Sequence, residues 1–274
     1  MRSFILYLFA LGTFYVQGQS CCQSISNTQT FASLSTDSKF GEAHVLRTPP
    51  SADLMGKMIS YPVQGGENAS AYEVAEGPFN GKVILVFQEW WGLNDHIKEQ
   101  ADKLAKTFPG VRVIAPDLYD GMTATTREAA SKLMQNANEE RIRSIIKAAY
   151  EYTDSKNVAT IGWCFGGGWS LRAALIGSGR VNACIMYYGM PIDDPTLLKG
   201  LQAPVLGIFA KQDGWINQEV VGKFENAMEE AGRPLKVYWY DAPHAFANPS
   251  QPSFNGEAAI DAWMKTVDFL ERNL

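Results

Sequence analysis

Ile161-Gly162-Trp163-Cys164-Phe165-Gly166-Gly167-Gly168 is the stretch on which the fold of this chain turns. The apolar run from Val158 to Trp163 predicts a short buried strand, and Trp169 to Ile176 predicts a helix. The glycines between them allow a sharp strand-to-helix turn. Gly-x-Cys-x-Gly on such a turn has the form of a nucleophile elbow, with cysteine where serine usually stands. Gly162 and Gly166 would remove Cβ atoms that clash on so tight a turn. The sulfur would sit at a helix N-terminus, where free N–H groups and the dipole favour an anion, so a lowered thiol pKa is expected. The turn lacks the Lys-Ser/Thr of a phosphate loop and the spacing of a dinucleotide fingerprint. A buried structural cysteine is the remaining alternative.

The rest of the chain gives this turn a context. Strand-like runs at 83–87, 111–115, 158–163, 183–188, 205–210 and 236–240 alternate with helical stretches at 95–107, 126–154, 165–177, 217–231 and 256–272. Thr125-x-x-Glu128 is a capping-box signature for the second of these helices. The alternation predicts an α/β domain with a mostly parallel sheet and helices on both faces. Asp213 follows the strand Val205 to Ala210, and His244 follows the strand Lys236 to Tyr240. Both groups then lie beyond the C-terminal ends of strands, where open α/β sheets bind ligands. Cys164, Asp213, His244 is also the chain order of nucleophile, acid and histidine in the α/β-hydrolase fold. Taken alone, Asp213 also reads as a turn residue before Gly214. The two other histidines, His44 and His96, are expected to be structural.

Gln88-Glu89-Trp90-Trp91-Gly92-Leu93-Asn94 follows the most apolar strand, Val83 to Phe87. Together with Ala115-Pro116-Asp117-Leu118-Tyr119, Gly162-x-Cys164-x-Gly166-Gly167, Asp213 and His244-x-Phe246, it resembles the dienelactone hydrolase family of α/β-hydrolases over roughly residues 55 to 274. The resemblance implies a Cys164–His244–Asp213 triad, with Glu89 as an auxiliary acid that keeps the resting thiol protonated. A neutral sulfur beside a carboxylate is also less open to oxidation. The reaction implied is attack of Cys164 on an ester or lactone carbonyl, with a thioacyl-enzyme intermediate and His244 as base. The backbone N–H groups of Phe165 and Trp90 would form the oxyanion hole. No cofactor is implied. In family members that open dienelactones, arginines bind the substrate carboxylate, one of them shortly after the histidine; here Asn248 stands in that region. Arg127 is a candidate source of positive charge, and Trp91, Tyr119, Trp215 and Phe246 are candidate pocket residues, with a core role equally open. A general ester or lactone hydrolase is therefore expected rather than a strict dienelactone hydrolase. A small-molecule-binding protein on the hydrolase fold and a thiol redox protein are the alternatives from other classes.

Met1-Arg2, the uncharged apolar run Ser3 to Val16 and the small residue at Gly18 predict a secretory signal peptide over 1–18. The run is too short to span a bilayer. Secretion, or a periplasmic location, is the expectation; a lipid-anchored Cys21 fits less well. Residues 19–51 read as a polar, Ser/Thr-rich, poorly packed extension ending at Thr48-Pro49-Pro50-Ser51, and 52–274 as one hydrolase domain. Cys184, inside an apolar strand, reads as inert core. The formal charge of −5 argues against nucleic acid as a partner. No Cys/His group has metal-ligand spacing along the chain.

Overall fold

The structure is a computed structural model that describes residues 27–44 and 53–274. The leader read at 1–18 and the pair Cys21 and Cys22 lie outside the described residues. Among the described residues eight strands form one sheet: β1 (Lys57–Tyr61), β2 (Ala69–Ala75), β3 (Lys82–Phe87), β4 (Arg112–Pro116), β5 (Asn157–Trp163), β6 (Val181–Tyr187), β7 (Val205–Ala210) and β8 (Leu235–Tyr240). Their order is β1-β2-β4-β3-β5-β6-β7-β8. The pairs from β4 to β8 are parallel, while β2 runs antiparallel to both β1 and β4. The chain thus has the α/β-hydrolase fold, with a mostly parallel sheet.

The helices are α1 (Asn27–Leu34), α2 (Ser38–Ala43), α3 (Asp95–Thr107), α4 (Arg127–Asn136), α5 (Glu139–Thr153), α6 (Phe165–Gly177), α7 (Pro195–Leu198), α8 (Gln218–Glu230) and α9 (Gly256–Asn273). They cover both faces of the sheet. On β6, Cys184 faces Ser170 of α6, whereas the Tyr187 hydroxyl donates to the Ala262 carbonyl of α9. The three-residue offset puts these contacts on opposite faces of the strand. The helix read at 126–154 is two helices. Ala137 closes the first and Asn138 caps the second, its side-chain oxygen accepting from the Arg141 N–H. The edge pair β1 and β2 went unread because half of β1 is exposed and carries little apolar signal.

Residues 27–44 pack more closely than their polar composition suggests. Phe31 and Phe40 are fully buried. Phe31 meets Phe165 edge-on at 5.8 Å, and Phe40 meets Trp90 at 5.2 Å and Trp215 at 5.1 Å. Thr28 donates to Glu139 and Ser131 donates to the Ser35 carbonyl, tying α1 to α5 and α4. Two buried phenylalanines, each worth about 1.5–3 kcal/mol, hold a segment in which Thr28, Ser35 and His44 are also buried. The expected poorly packed extension is corrected for this part: it is a helical segment laid over the C-terminal ends of the strands.

Candidate active site

Glu89, Cys164, Asp213 and His244 each follow the C-terminal end of a parallel strand, so the topology gathers them at one edge of the sheet. Cys164 follows β5 and is the first residue before α6, with φ 54° and ψ −118°. That is strained backbone for a residue with a Cβ. It is held by hydrogen bonds from Cys164 N–H to the Tyr187 carbonyl (3.0 Å) and from Gly167 N–H to the Cys164 carbonyl (3.0 Å). The glycines behave as the turn requires. A Cβ on Gly162 would run into the Gly166 carbonyl, and one on Gly166 would run into the Phe87 carbonyl. Tyr188 and Ala245 also have positive φ, 36° and 61°, so strain clusters around the thiol.

His244 Nδ1 lies 2.5 Å from Asp213 Oδ2. The other carboxylate oxygen of Asp213 accepts from the N–H groups of Trp215 and Ile216, both at 2.9 Å. Asp213 is thus oriented by the turn after β7 and orients the imidazole in turn. The Nε2 face of His244 is turned to Cys164, and the sulfur, a nitrogen of His244 and a nitrogen of His44 lie within 4.8 Å of one another. Glu89 is buried, and its Oε2 accepts from Asn248 Nδ2 at 2.5 Å. Asn248 Oδ1 is itself held by the N–H and hydroxyl of Ser250. Asn248 thus supplies a neutral amide donor to Glu89.

The electrostatics follow from closure. Burial pushes the Cys164 thiol up; His244 and the Phe165 N–H pull the other way, Glu89 adds to the rise, and burial prevails. The lowered thiol pKa expected from the helix N-terminus is therefore corrected: desolvation of a fully buried sulfur outweighs the dipole. Burial also pushes Glu89 up to about 7, against the opposing Asn248 hydrogen bond and His244. Asp213 is buried too, but the His244 charge, the bond to it and the two N–H groups hold its carboxyl below the usual range. Burial disfavours charge on His244, yet Asp213 and an ionised Cys164 hold its imidazole well above its ordinary value. An imidazole pushed up next to a thiol pushed up keeps proton transfer between them within reach.

Among the other expected residues, Trp90 and Trp91 are buried in the turn after β3, with rings 5.0 Å apart. Tyr119 packs on Phe165 at 5.7 Å and its hydroxyl is buried without a hydrogen-bond partner. Phe246 is fully buried against Tyr188 and Tyr240. Trp215 is half-buried, and its Nε1 donates to Asp37 at 3.1 Å. Arg127 is the first residue of α4, and its stem lies beside Gly41 of the N-terminal segment. Cys184 is buried and pushed up to about 11 by burial. It pairs with Thr160 in the β5–β6 register, roughly 13 Å along the strand from Cys164 at ~3.3 Å per residue, too far for a disulfide.

Two residues at the site escaped the sequence reading. Tyr188 follows β6 with its ring 4.9 Å from His244 and its hydroxyl buried; a Tyr-Gly after an apolar strand was the available signal. His44 was expected to be structural. It is buried, its ring 5.1 Å from that of His244, and burial pushes it down to about 3 with the neighbouring imidazole adding to the effect.

With a thiol, an imidazole and a carboxylate in line on this fold, comparison with known proteins is decisive. Residues 70–274 match the model of the dienelactone hydrolase family. The chain belongs to the dienelactone hydrolase family. It is therefore a hydrolase. It is 30% identical over 234 residues to Protein usf of Aquifex pyrophilus, covering 80% of this chain and 100% of that one. It is 28% identical over 229 residues to a carboxymethylenebutenolidase of a Pseudomonas species, covering 78% and 94%. A dienelactone hydrolase-like promiscuous phosphotriesterase from metagenomic libraries shares the fold, with a TM-score of 0.70 at 21% identity over 80% of this chain and 98% of that one. The family match begins at residue 70, so in this dienelactone hydrolase family member Phe40 and His44 reach the site from outside the matched region.

Proposed function

We propose that this chain is a cysteine-dependent hydrolase of carboxylic esters or lactones that works through a thioacyl-enzyme. The observation that carries the reading is His244, held at Nδ1 by Asp213 with its Nε2 side toward the sulfur of a strained strand-to-helix turn. In the first step His244 takes the Cys164 proton and the sulfur attacks the carbonyl carbon. Asp213 keeps the imidazole in the tautomer that accepts at Nε2 and stabilises the imidazolium. The tetrahedral oxyanion would be met by the N–H of Phe165, which heads α6 and has no partner inside the helix, and by the N–H of Trp90. Collapse expels the alcohol, which takes the proton from His244. Water, activated by His244, then hydrolyses the thioester and frees the acid.

Glu89 has the role of a gate on the thiol. Ionised, it raises the cost of a neighbouring thiolate; protonated or moved away, it lifts that cost. The substrates favoured are uncharged esters or lactones, because Asn248 gives Glu89 a neutral partner and the buried rings of Tyr119 and Tyr188 lie near Cys164. We further propose that the protein acts outside the cytoplasm after removal of residues 1–18; N-terminal sequencing of secreted material beginning at or near Gln19 checks this.

The test is turnover of p-nitrophenyl acetate and a panel of small lactones by wild type and Cys164→Ala, with the thiol kept reduced. Turnover in wild type that is lost in the variant is expected. A Cys164→Ala protein that retains full activity overturns the reading.

A further inference from the structure

The side chain at the site that the reaction leaves unused is His44. Its Nδ1 lies 2.6 Å from the Phe40 carbonyl oxygen. A carbonyl only accepts, so Nδ1 carries the hydrogen and Nε2 presents a lone pair. That nitrogen is buried and has no hydrogen-bond partner. His244 is arranged alike: Nδ1 faces the Asp213 carboxylate, and the buried Nε2 faces the Cys164 sulfur. Two imidazole nitrogens therefore converge on the Cys164 sulfur, all three donors within 4.8 Å of one another.

The geometry points to a zinc-binding site formed by His44, Cys164 and His244, lying across the nucleophile. Two imidazoles and a thiolate are a donor set that Zn²⁺ accepts, with a fourth tetrahedral position left for water. Both histidines already make the outer contact typical of metal-bound imidazole, one to a backbone carbonyl and one to a carboxylate. Tetrahedral Zn–N and Zn–S bonds would set the donors about 3.3–3.6 Å apart, so each moves inward by less than about 1 Å. His44 can supply that movement, since it is the cap residue after a six-residue helix and its backbone is extended. The donors come from positions 44, 164 and 244, which is why no spacing in the sequence reveals them. Binding exchanges the thiol proton for the metal, releasing one proton to solvent, while both imidazoles bind neutral. A bound zinc occupies the sulfur and the Nε2 of His244 together, and so blocks attack on an ester. The blockade, though not the binding, rests on the hydrolase reading above.

The experiment uses the full, reduced, chelator-stripped chain. Co²⁺ is titrated with absorption detection and Zn²⁺ by calorimetry, for wild type, Cys164→Ser, His44→Ala and His44→Phe, the last keeping a buried ring without nitrogen donors. One metal per chain and a thiolate-to-cobalt charge-transfer band are expected in wild type. Both histidine variants should weaken affinity by about tenfold or more, and Cys164→Ser should lose the band. His44→Phe should turn over ester and resist zinc at concentrations that silence wild type. Absence of the band in wild type, or affinity unchanged in both His44 variants, overturns the site. Zinc that binds one per chain without inhibiting an active enzyme overturns the blockade. Metal binding in a chain without esterase activity supports the site and counts against the hydrolase reading instead.

Discussion

Phe40→Ala should open the thiol without unfolding the domain. Phe40 is fully buried, edge-on to Trp90 and Trp215, with its ring 6.0 Å from that of His244. Cys164 has no exposed surface, so a reagent can reach it only when the covering layer lifts. Removing a buried phenylalanine costs about 3–5 kcal/mol. Here the cost falls on docking of the segment 27–44, because the sheet and its helices pack without Phe40. At ~1.4 kcal/mol per factor of ten, the population with the segment lifted should rise by a factor of roughly 10² to a few times 10³, up to the limit set by the docking energy. When opening and closing are fast, the rate of thiol alkylation tracks that population. The assay is iodoacetamide labelling, with the modified peptide assigned by mass spectrometry to separate Cys164 from Cys184. Faster labelling of Cys164 and an almost unchanged thermal midpoint for the domain are expected. Labelling within about twofold of wild type would refute the claim that this segment controls access. A fall of the whole domain's midpoint would place Phe40 in the cooperative core instead.

Three further outcomes follow from the same geometry. Asp213→Asn should fold and lower kcat by about 10²–10⁴-fold, since the amide no longer selects the His244 tautomer; steady-state ester turnover measures it. Glu89→Gln should shift the pH profile of Cys164 alkylation to lower pH, because it removes a charge that raises the thiol pKa. The same variant tests stability: with Glu89 at about 7 in the fold against 4.5 in the free chain, the unfolded state ionises first as pH rises. Wild type therefore loses stability between those values, roughly 3 kcal/mol in all. Denaturant melts should show Glu89→Gln gaining on wild type up to pH 7, with the difference vanishing near pH 4.5. Gly166→Ala should destabilise the protein by about 1–3 kcal/mol, since its Cβ runs into the Phe87 carbonyl; a thermal melt close to wild type would contradict the turn geometry.

What could be read from sequence is what local pattern encodes. Apolar runs alternating with helical stretches located the parallel strands, and the elbow located Cys164, because a tight turn admits few residues at Gly162 and Gly166. Asp213 and His244 were legible because the fold sends each strand end to the same edge. Electrostatics were harder. The pKa of Cys164 depends on its burial in the folded chain, which no five-residue motif contains, so the dipole argument gave the wrong sign. His44 was unreadable for the same reason: it sits in a polar stretch, and only long-range packing of Phe31 and Phe40 brings it to His244. Asn248 was visible as a departure from arginine, but its hydrogen bond to Glu89 required the structure.

The central claim is that the Cys164 sulfur carries the acyl group. Reduced wild-type enzyme would be quenched in acid during turnover of a slowly deacylated ester, then digested and analysed by mass spectrometry. An acyl mass on the peptide containing Cys164, absent in Cys164→Ala and accumulating when His244 is replaced after acylation is forced with an activated ester, is the predicted result. Turnover with no adduct on Cys164, or with the acyl group on another residue, would contradict the account.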